Sequence, residues 1–181
     1  MVNLPRTFVS FSSNDKGRYD LMCAWKAHDH IDFNFADFQL EEAINSQTPY
    51  YIKSVCTAKV RLADTFVLLI GNDTYTKTVF VKAEVEAAVE KGCRMIGVNL
   101  NNARSKDHLC PAFFENVGAL FIPFSTRILA EALRWQRQGT FPWYYFPDEA
   151  YKQLGYQLVG STAVLPQPSN PFASGNRPPW A

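Results

Sequence analysis

One glutamate in this sequence stands where a carboxylate could take part in a reaction. Residues 79–92 carry apolar side chains at helical spacing and end in a glycine suited to a helix C-cap; the apolar positions are Val81, Val85, Ala88 and Val89. Glu86 and Glu90 fall opposite this stripe, whereas Glu84 falls at its margin, near the positive end of the helix. Partial desolvation at this position raises the proton affinity of a carboxylate, and such shifted groups are common in active sites. The alternative is that Glu84 caps the amides of its own helix or forms half of a salt bridge.

Three polar loops supply further groups that could bind a ligand. Residues 12–17, 36–49 and 71–78 are rich in small polar side chains, and each follows an apolar segment. In an open α/β sheet, the loops at the carboxyl ends of the strands converge on one edge, where ligands bind. We therefore expect these loops to meet on that edge, with Glu84 beneath one of them.

Short apolar runs alternate with helical patterns along most of the chain. The predicted strands are residues 7–11, 31–35, 65–70, 94–100 and 119–122, and the predicted helices are residues 19–26, 51–63, 79–92 and 127–137. This alternation indicates an α/β fold with a central parallel sheet of about five strands and helices on both faces. Residues 1–137 are predicted to form this domain.

Residues 138–181 differ in composition and are predicted to form a Pro- and aromatic-rich C-terminal extension. They hold seven of the eleven prolines and the run Trp143-Tyr144-Tyr145-Phe146. Four adjacent aromatic side chains, if exposed together, would form an apolar patch large enough to cause aggregation. We therefore expect the first part of the extension to be covered, either by the domain itself or by a second copy of the chain. Because side chains alternate along an extended chain, two of the four should point inward. The end beyond Leu165 is expected to be mobile.

Composition and missing motifs exclude several classes of protein. Lys and Arg number 18 against 17 Asp and Glu, and this balance argues against nucleic-acid binding. No apolar run approaches the ~20 residues that cross a bilayer, and the first residues lack a signal-peptide pattern, so a cytoplasmic protein without a membrane partner is expected. The four cysteines lack metal-ligand spacing, which predicts no metal site. The chain has no GxGxxG, P-loop or GxSxG motif, but its topology leaves a flavin-binding protein open.

A set of segments, taken in order, points to a family. The run FVLLIGNDTY at residues 66–75 is followed by FVKAEV at residues 80–85. This order of segments resembles that of bacterial TIR-like domains of the Thoeris anti-phage type. The shared features are an apolar strand that ends in Ile-Gly, a Thr-Tyr loop and a helix with a V-K-x-E motif. Residues 8–12, 32–37, 96–101, 110–111 and 121–124 are similar to this family too, so the resemblance extends from about residue 7 to residue 135. The family usually has Trp at the position of Phe80.

The resemblance implies a flavodoxin-like TIR fold and an enzyme that cleaves the nicotinamide–ribose bond of NAD+, with Glu84 as the catalytic carboxylate. NAD+ is the substrate of this reaction, which calls for no metal or tightly bound cofactor. The resemblance also implies a set of substrate-binding residues: Phe11, Ser12, Asn14, Asp15, Asp37 and Phe80. The alternative for the two phenylalanines is strand-end packing, and for the polar residues it is turn or helix capping.

A Thoeris protein of this type is further implied to make a cyclic ADP-ribose isomer, or a related ADP-ribose signal, that activates a separate effector. The expected partners are NAD+, that effector and a phage-derived trigger, and self-association into a homo-oligomer is compatible with the family. The alternative is a non-catalytic scaffold that acts through TIR–TIR association, which would need no acid at Glu84.

Overall fold

The computed structural model describes residues 6–28, 35–37 and 49–158. The strands are β1 (Arg6–Ser10), β2 (Ala36–Asp37), β3 (Thr65–Ile70), β4 (Arg94–Asn99), β5 (Ala119–Pro123) and β6 (Trp143–Tyr145). The helices are α1 (Lys16–Ala27), α2 (Pro49–Val60), α3 (Phe80–Lys91), α4 (Thr126–Arg134) and α5 (Asp148–Gln153). Most of the strand predicted at residues 31–35 lies outside the described residues, as does the chain beyond residue 158.

The strands form one sheet in the order β2-β1-β3-β4-β5-β6, and every neighbouring pair is parallel. The predicted α/β, flavodoxin-like architecture is therefore confirmed. From β1 the chain adds β2 on one side and then β3, β4, β5 and β6 on the other. The direction of strand addition changes between β1 and β3, and α/β proteins bind ligands in the crevice at this switch point.

The central strand β3 is buried along its whole length because helices cover both faces of the sheet. Phe66, Leu68 and Ile70 pack with residues of α2 and α3, whereas Val67 and Leu69 point to the opposite face. That second face is covered by α1 and α4, which contribute Met22, Ile128, Leu129 and Leu133. Val67, Leu69, Ile96 and Val98 have no measurable exposed surface, as expected for the apolar runs predicted to form central strands.

Several predicted element boundaries are shifted in the structure. Helix α1 begins at Lys16 rather than at Tyr19, and the described residues contain the short strand Ala36–Asp37 directly after the segment predicted as the second strand. Helix α3 ends as predicted, because Gly92 has a φ angle of 77° and its N–H bonds to the carbonyl of Val89. In the described part of the chain, no helix combines the length and apolar character needed to cross a membrane.

The first part of the predicted extension adds a strand to the sheet, which the sequence patterns missed. Strand β6 pairs with β5, and the aromatic run alternates between the two faces of the sheet. Tyr144 and Phe146 are buried, whereas Trp143 and Tyr145 are half-buried. The Tyr144 hydroxyl donates to the carbonyl of Gly139 at 2.9 Å, which fixes the turn before β6. Two of the four aromatic side chains therefore point inward, as expected.

Candidate active site

Glu84 lies in the second turn of α3, on the side that faces the sheet. Only 8% of its surface is exposed. At about 100° per residue, it falls near the middle of a buried arc whose other members are Val81, Ala83, Val85, Ala87 and Ala88. The sequence pattern predicted a position at the margin of the buried face, and this was wrong. Val89, assigned to the apolar stripe, is 46% exposed, so the buried face is rotated toward Glu84.

Two hydrogen-bond donors from other elements reach the Glu84 carboxylate. The Ser10 hydroxyl, at the end of β1, donates to Oε2 at a distance of 2.6 Å, and both residues are buried. The Cys56 thiol, on α2, forms a second hydrogen bond to the carboxylate. Three elements that are far apart in sequence therefore converge on one acid.

The surroundings of Glu84 raise its proton affinity. Burial raises its pKa to about 7, and the hydrogen bonds from Ser10 and Cys56 oppose that rise by stabilising the ionised form. Burial and the neighbouring carboxylate also raise the pKa of the Cys56 thiol to about 12, so Cys56 acts as a neutral donor. Glu84 therefore changes charge near neutral pH without a basic partner among the described residues.

The two plainer explanations for Glu84 do not match these contacts. The carboxylate bonds to side chains of β1 and α2, and not to amides of its own helix or to a described cation. Glu86 and Glu90 are exposed on the opposite side of α3, as predicted, where they pair with Lys82 and Arg61 at 3.8 Å and 3.1 Å. Glu84 therefore differs from the other two glutamates of its helix, which are exposed and paired with cations.

The loops after β1 and β3 are tied together above the switch point by Asp73. Its Oδ2 accepts hydrogen bonds from the Ser12 hydroxyl at 2.9 Å and the Asn14 amide at 2.8 Å, and Lys77 pairs with the same oxygen at 3.0 Å. Burial alone would raise the pKa of Asp73, but these three partners together lower it. Ser12 also accepts a hydrogen bond from the Asn14 backbone, which is the local capping role that was its alternative.

Asp15 packs against the end of β3 and explains the glycine at that position. A Cβ atom added to Gly71 would lie 2.3 Å from Asp15 Oδ2, so only glycine leaves room for this carboxylate. Burial and the nearby Asp73 raise the pKa of Asp15, while its buried Oδ2 has no hydrogen-bond partner among the described residues. The Gly71 amide donates to the Thr74 hydroxyl at 2.9 Å, which closes the loop.

The remaining predicted positions, Phe11, Phe80 and Asp37, lie in or next to three different elements. Phe11 stacks on Tyr19 of α1 with ring centroids 4.8 Å apart, a packing contact at the strand end. Phe80 is the first residue of α3, one turn before Glu84, and 37% of the residue's surface is exposed. The backbone of Asp37 lies in β2, opposite Thr7 of β1. Ser12, Asn14 and Asp15 therefore belong to one loop cluster, with Phe80 and Glu84 on the neighbouring helix.

Sequence reasoning missed three members of the site: Ser10, Cys56 and Asp73. Each carried a weak signal, because Ser10 is a polar residue in a buried strand and Cys56 falls on the apolar side of its helix. Asp73 had been placed in a polar loop without a role. Among the described residues, no group of three or more His, Cys, Asp or Glu side chains is arranged to hold a metal ion.

Comparison with known proteins gives one family match. The family model described as Thoeris protein ThsB, TIR-like domain, matches residues 8–105, which is more than half of the chain. The matched region contains Glu84, Ser10, Cys56 and both polar loops described above. A search of curated proteins finds no significant match.

Proposed function

Since the chain belongs to the Thoeris TIR-like domain family, a TIR family of anti-phage defence, we propose that it cleaves the nicotinamide–ribose bond of NAD+. The observation that carries this proposal is the Glu84 carboxylate, which is buried beside the switch point and whose hydrogen-bond donors among the described residues are both neutral. A buried carboxylate without a described cation beside it is suited to stabilise a cation that the substrate itself supplies.

The reaction develops such a cation. The bond between ribose C1′ and the pyridinium nitrogen breaks, and its electron pair leaves with nicotinamide, which becomes neutral. The positive charge moves to C1′ and the ring oxygen as an oxocarbenium ion. The ionised Glu84 carboxylate stabilises this charge, and because nicotinamide leaves as a neutral molecule, no proton donor is required.

The polar loops and Phe80 are the proposed walls of the NAD+ site. Ser12, Asn14 and Asp15 offer hydrogen-bonding groups at the carboxyl edge of the sheet, and Asp37 lies in the adjacent strand. The partly exposed ring of Phe80, one turn from Glu84, offers a face for a base or the pyridinium ring. Phe11 at the end of β1 is a second aromatic candidate, although its ring already stacks on Tyr19.

The proposed product is a cyclic ADP-ribose isomer or a related ADP-ribose signal that activates a separate effector. Cyclisation uses the same oxocarbenium ion, but water is excluded so that a group of the substrate attacks C1′ instead. An attacking hydroxyl gives its proton to the Glu84 carboxylate, whereas an unprotonated base nitrogen attacks with its lone pair. NAD+ is the substrate, and the scheme uses no metal or tightly bound cofactor. A phage-derived trigger would control this activity.

Chromatography of nucleotide products after incubation with NAD+ tests the proposal. The protein is assayed alone and with lysate from phage-infected cells, and nicotinamide is quantified beside any ADP-ribose product. Glu84→Gln should lower nicotinamide release at least about 100-fold, whereas Glu86→Gln, on the exposed side of the same helix, should leave it unchanged. Wild-type turnover in Glu84→Gln, or no release by the wild type under either condition, would refute the proposal.

A scaffold that acts through TIR–TIR association is the second candidate. The observation in its favour is an exposed apolar group at the start of α3, formed by Tyr75, Val79 and Phe80. A scaffold would keep its protective effect against phage in cells when Glu84 is replaced by Gln, and would lose it when Val79 is replaced by Asp. The enzyme hypothesis predicts loss of protection with Glu84→Gln.

A further inference from the structure

The pairing of β1 in the sheet places the Ser10 hydroxyl beside Glu84. Phe8 and Ser10 point to the same face of β1 because side chains alternate along a strand, and this face packs against α2 and α3. Ser10 pairs with Leu68 in the ladder to β3, so its backbone is held on the β3 side. Its Oγ lies 2.6 Å from Glu84 Oε2, and both residues are buried, with 1% and 8% of their surfaces exposed.

We propose that Ser10 is a positioning residue for Glu84: its hydroxyl fixes the orientation of the carboxylate and keeps it in the ionised form that the reaction uses. This inference rests on the proposed function of Glu84. The terminal torsion of a glutamate side chain is broad, so an unrestrained carboxylate would sample many orientations. A short hydrogen bond from a rigid strand selects one of them, and in a buried setting it also stabilises the negative charge.

Cys56, on helix α2, is the second hydrogen-bond donor to Glu84. Its thiol, on α2, is the weaker donor of the two, so the larger share of the stabilisation is assigned to Ser10. It is also the one titratable group among the described residues found to interact with Glu84. With a pKa of about 12, the thiol stays protonated across the range of an assay. A pH dependence between pH 5.5 and pH 9.5 therefore reports on Glu84 and not on Cys56.

Replacement of Ser10 by Ala, Val and Thr tests the proposal in the full-length protein. Ala and Val both remove the donor, while Val also fills the space; Thr keeps a hydroxyl on a side chain of the same shape as Val. The first readout is the pKa of the Glu84 carboxyl group, measured by a pH titration of ¹³C-glutamate-labelled protein in NMR. The signal of Glu84 is assigned as the one that is missing from the spectrum of Glu84→Gln. The second is the pH profile of kcat/KM for nicotinamide release. Thr65→Val is the matched control, because it removes a buried hydroxyl at the start of β3, where Thr65 pairs with Thr7 and accepts a hydrogen bond from Arg94 rather than contacting Glu84.

Loss of the hydroxyl should raise the pKa of Glu84 by about one unit. The acidic limb of the pH profile then moves upward, so the loss of activity relative to wild type is about tenfold larger at pH 6 than at pH 9. Ser10→Thr should retain the wild-type titration, and Thr65→Val should leave the profile in place. A purely structural role for Ser10 would lower activity equally at all pH values.

Two results would overturn the inference. One is a wild-type titration of Glu84 in the folded Ala or Val variant, and the other is a Thr variant as strongly shifted as Val. The titration needs no substrate, so it remains decisive even if the protein releases no nicotinamide. In that case the proposed function fails, while the effect of Ser10 on the carboxylate is still measured.

Discussion

Replacing Glu84 by Gln should make the folded protein more stable at alkaline pH while abolishing the proposed reaction. The wild-type carboxyl has a pKa of about 7 when folded, against 4.5 for the ordinary group. A group that binds its proton more tightly in the folded state stabilises the fold at low pH, and this stability is lost as the pH rises from 4.5 through 7. Gln is neutral throughout, so the variant avoids that loss.

The magnitude follows from the difference between the two pKa values. A difference of about 2.5 units, at 1.36 kcal/mol per unit, corresponds to roughly 3 kcal/mol. The free energy of unfolding of Glu84→Gln, minus that of the wild type, should therefore grow by about this amount between pH 4.5 and pH 9. Both proteins have the same other titratable groups, whose contributions cancel in the difference.

Urea unfolding of the two proteins at several pH values measures this gap. Glu86→Gln is the control, because its carboxylate lies in water on the far side of α3 and should produce no gap of that size. If the stability difference between Glu84→Gln and the wild type stays constant or shrinks as the pH rises, the claim that ionisation of Glu84 destabilises the folded wild type is refuted. Stabilisation combined with loss of nicotinamide release would separate a catalytic role from a structural one.

Four further perturbations test other parts of the structure. Ile96→Ala in the buried strand β4 should lower the free energy of unfolding by about 2–4 kcal/mol in urea titrations. Asp73→Ala removes the acceptor that joins two loops, so amide hydrogen exchange in the loop after β1 should accelerate about tenfold, measured by mass spectrometry. Gly71→Ala should destabilise the protein by about 1–3 kcal/mol, and Asp15→Ala in the same chain should reverse part of that loss in a double-mutant cycle. Deletion of residues 138–181 exposes the edge of β5 and should give insoluble protein or a clearly lower Tm; an equally soluble and stable truncation would contradict this expectation.

The central strands of the sheet could be predicted from the sequence because burial on both faces requires a run of apolar residues. Thr65–Ile70 and Arg94–Asn99 are covered on both faces, so their residues are apolar or glycine except at three strand ends, Thr65, Arg94 and Asn99. Strand β2 has no such apolar run, since it is only two residues long and lies at the edge of the sheet. Strand β6 was missed because its three aromatic residues, close to two prolines, are equally typical of an irregular packed segment.

The candidate site was predictable only in part, for two physical reasons. The buried face of α3 is set largely by Ala83, Ala87 and Ala88, and alanine occurs so readily on any helix face that it gives little directional signal. Glu84 was therefore assigned to the edge of a face whose middle it occupies. The bond from Ser10 to Glu84 joins residues 74 positions apart, and it exists because β1 is the neighbour of β3. No local pattern contains that adjacency.

The same adjacency explains why an acid without a described cation can be kept at this place. Because β1 and β3 are neighbours at the switch point, the end of β1 faces the helix that follows β3, and α2 packs against that helix from the same side. The carboxylate thus receives a hydroxyl and a thiol, which lower the cost of its charge but do not neutralise it. An arginine or lysine in place of either donor would neutralise the charge and leave it with less attraction for a cationic ribose. The choice of neutral donors therefore favours a site whose positive partner arrives with the ligand.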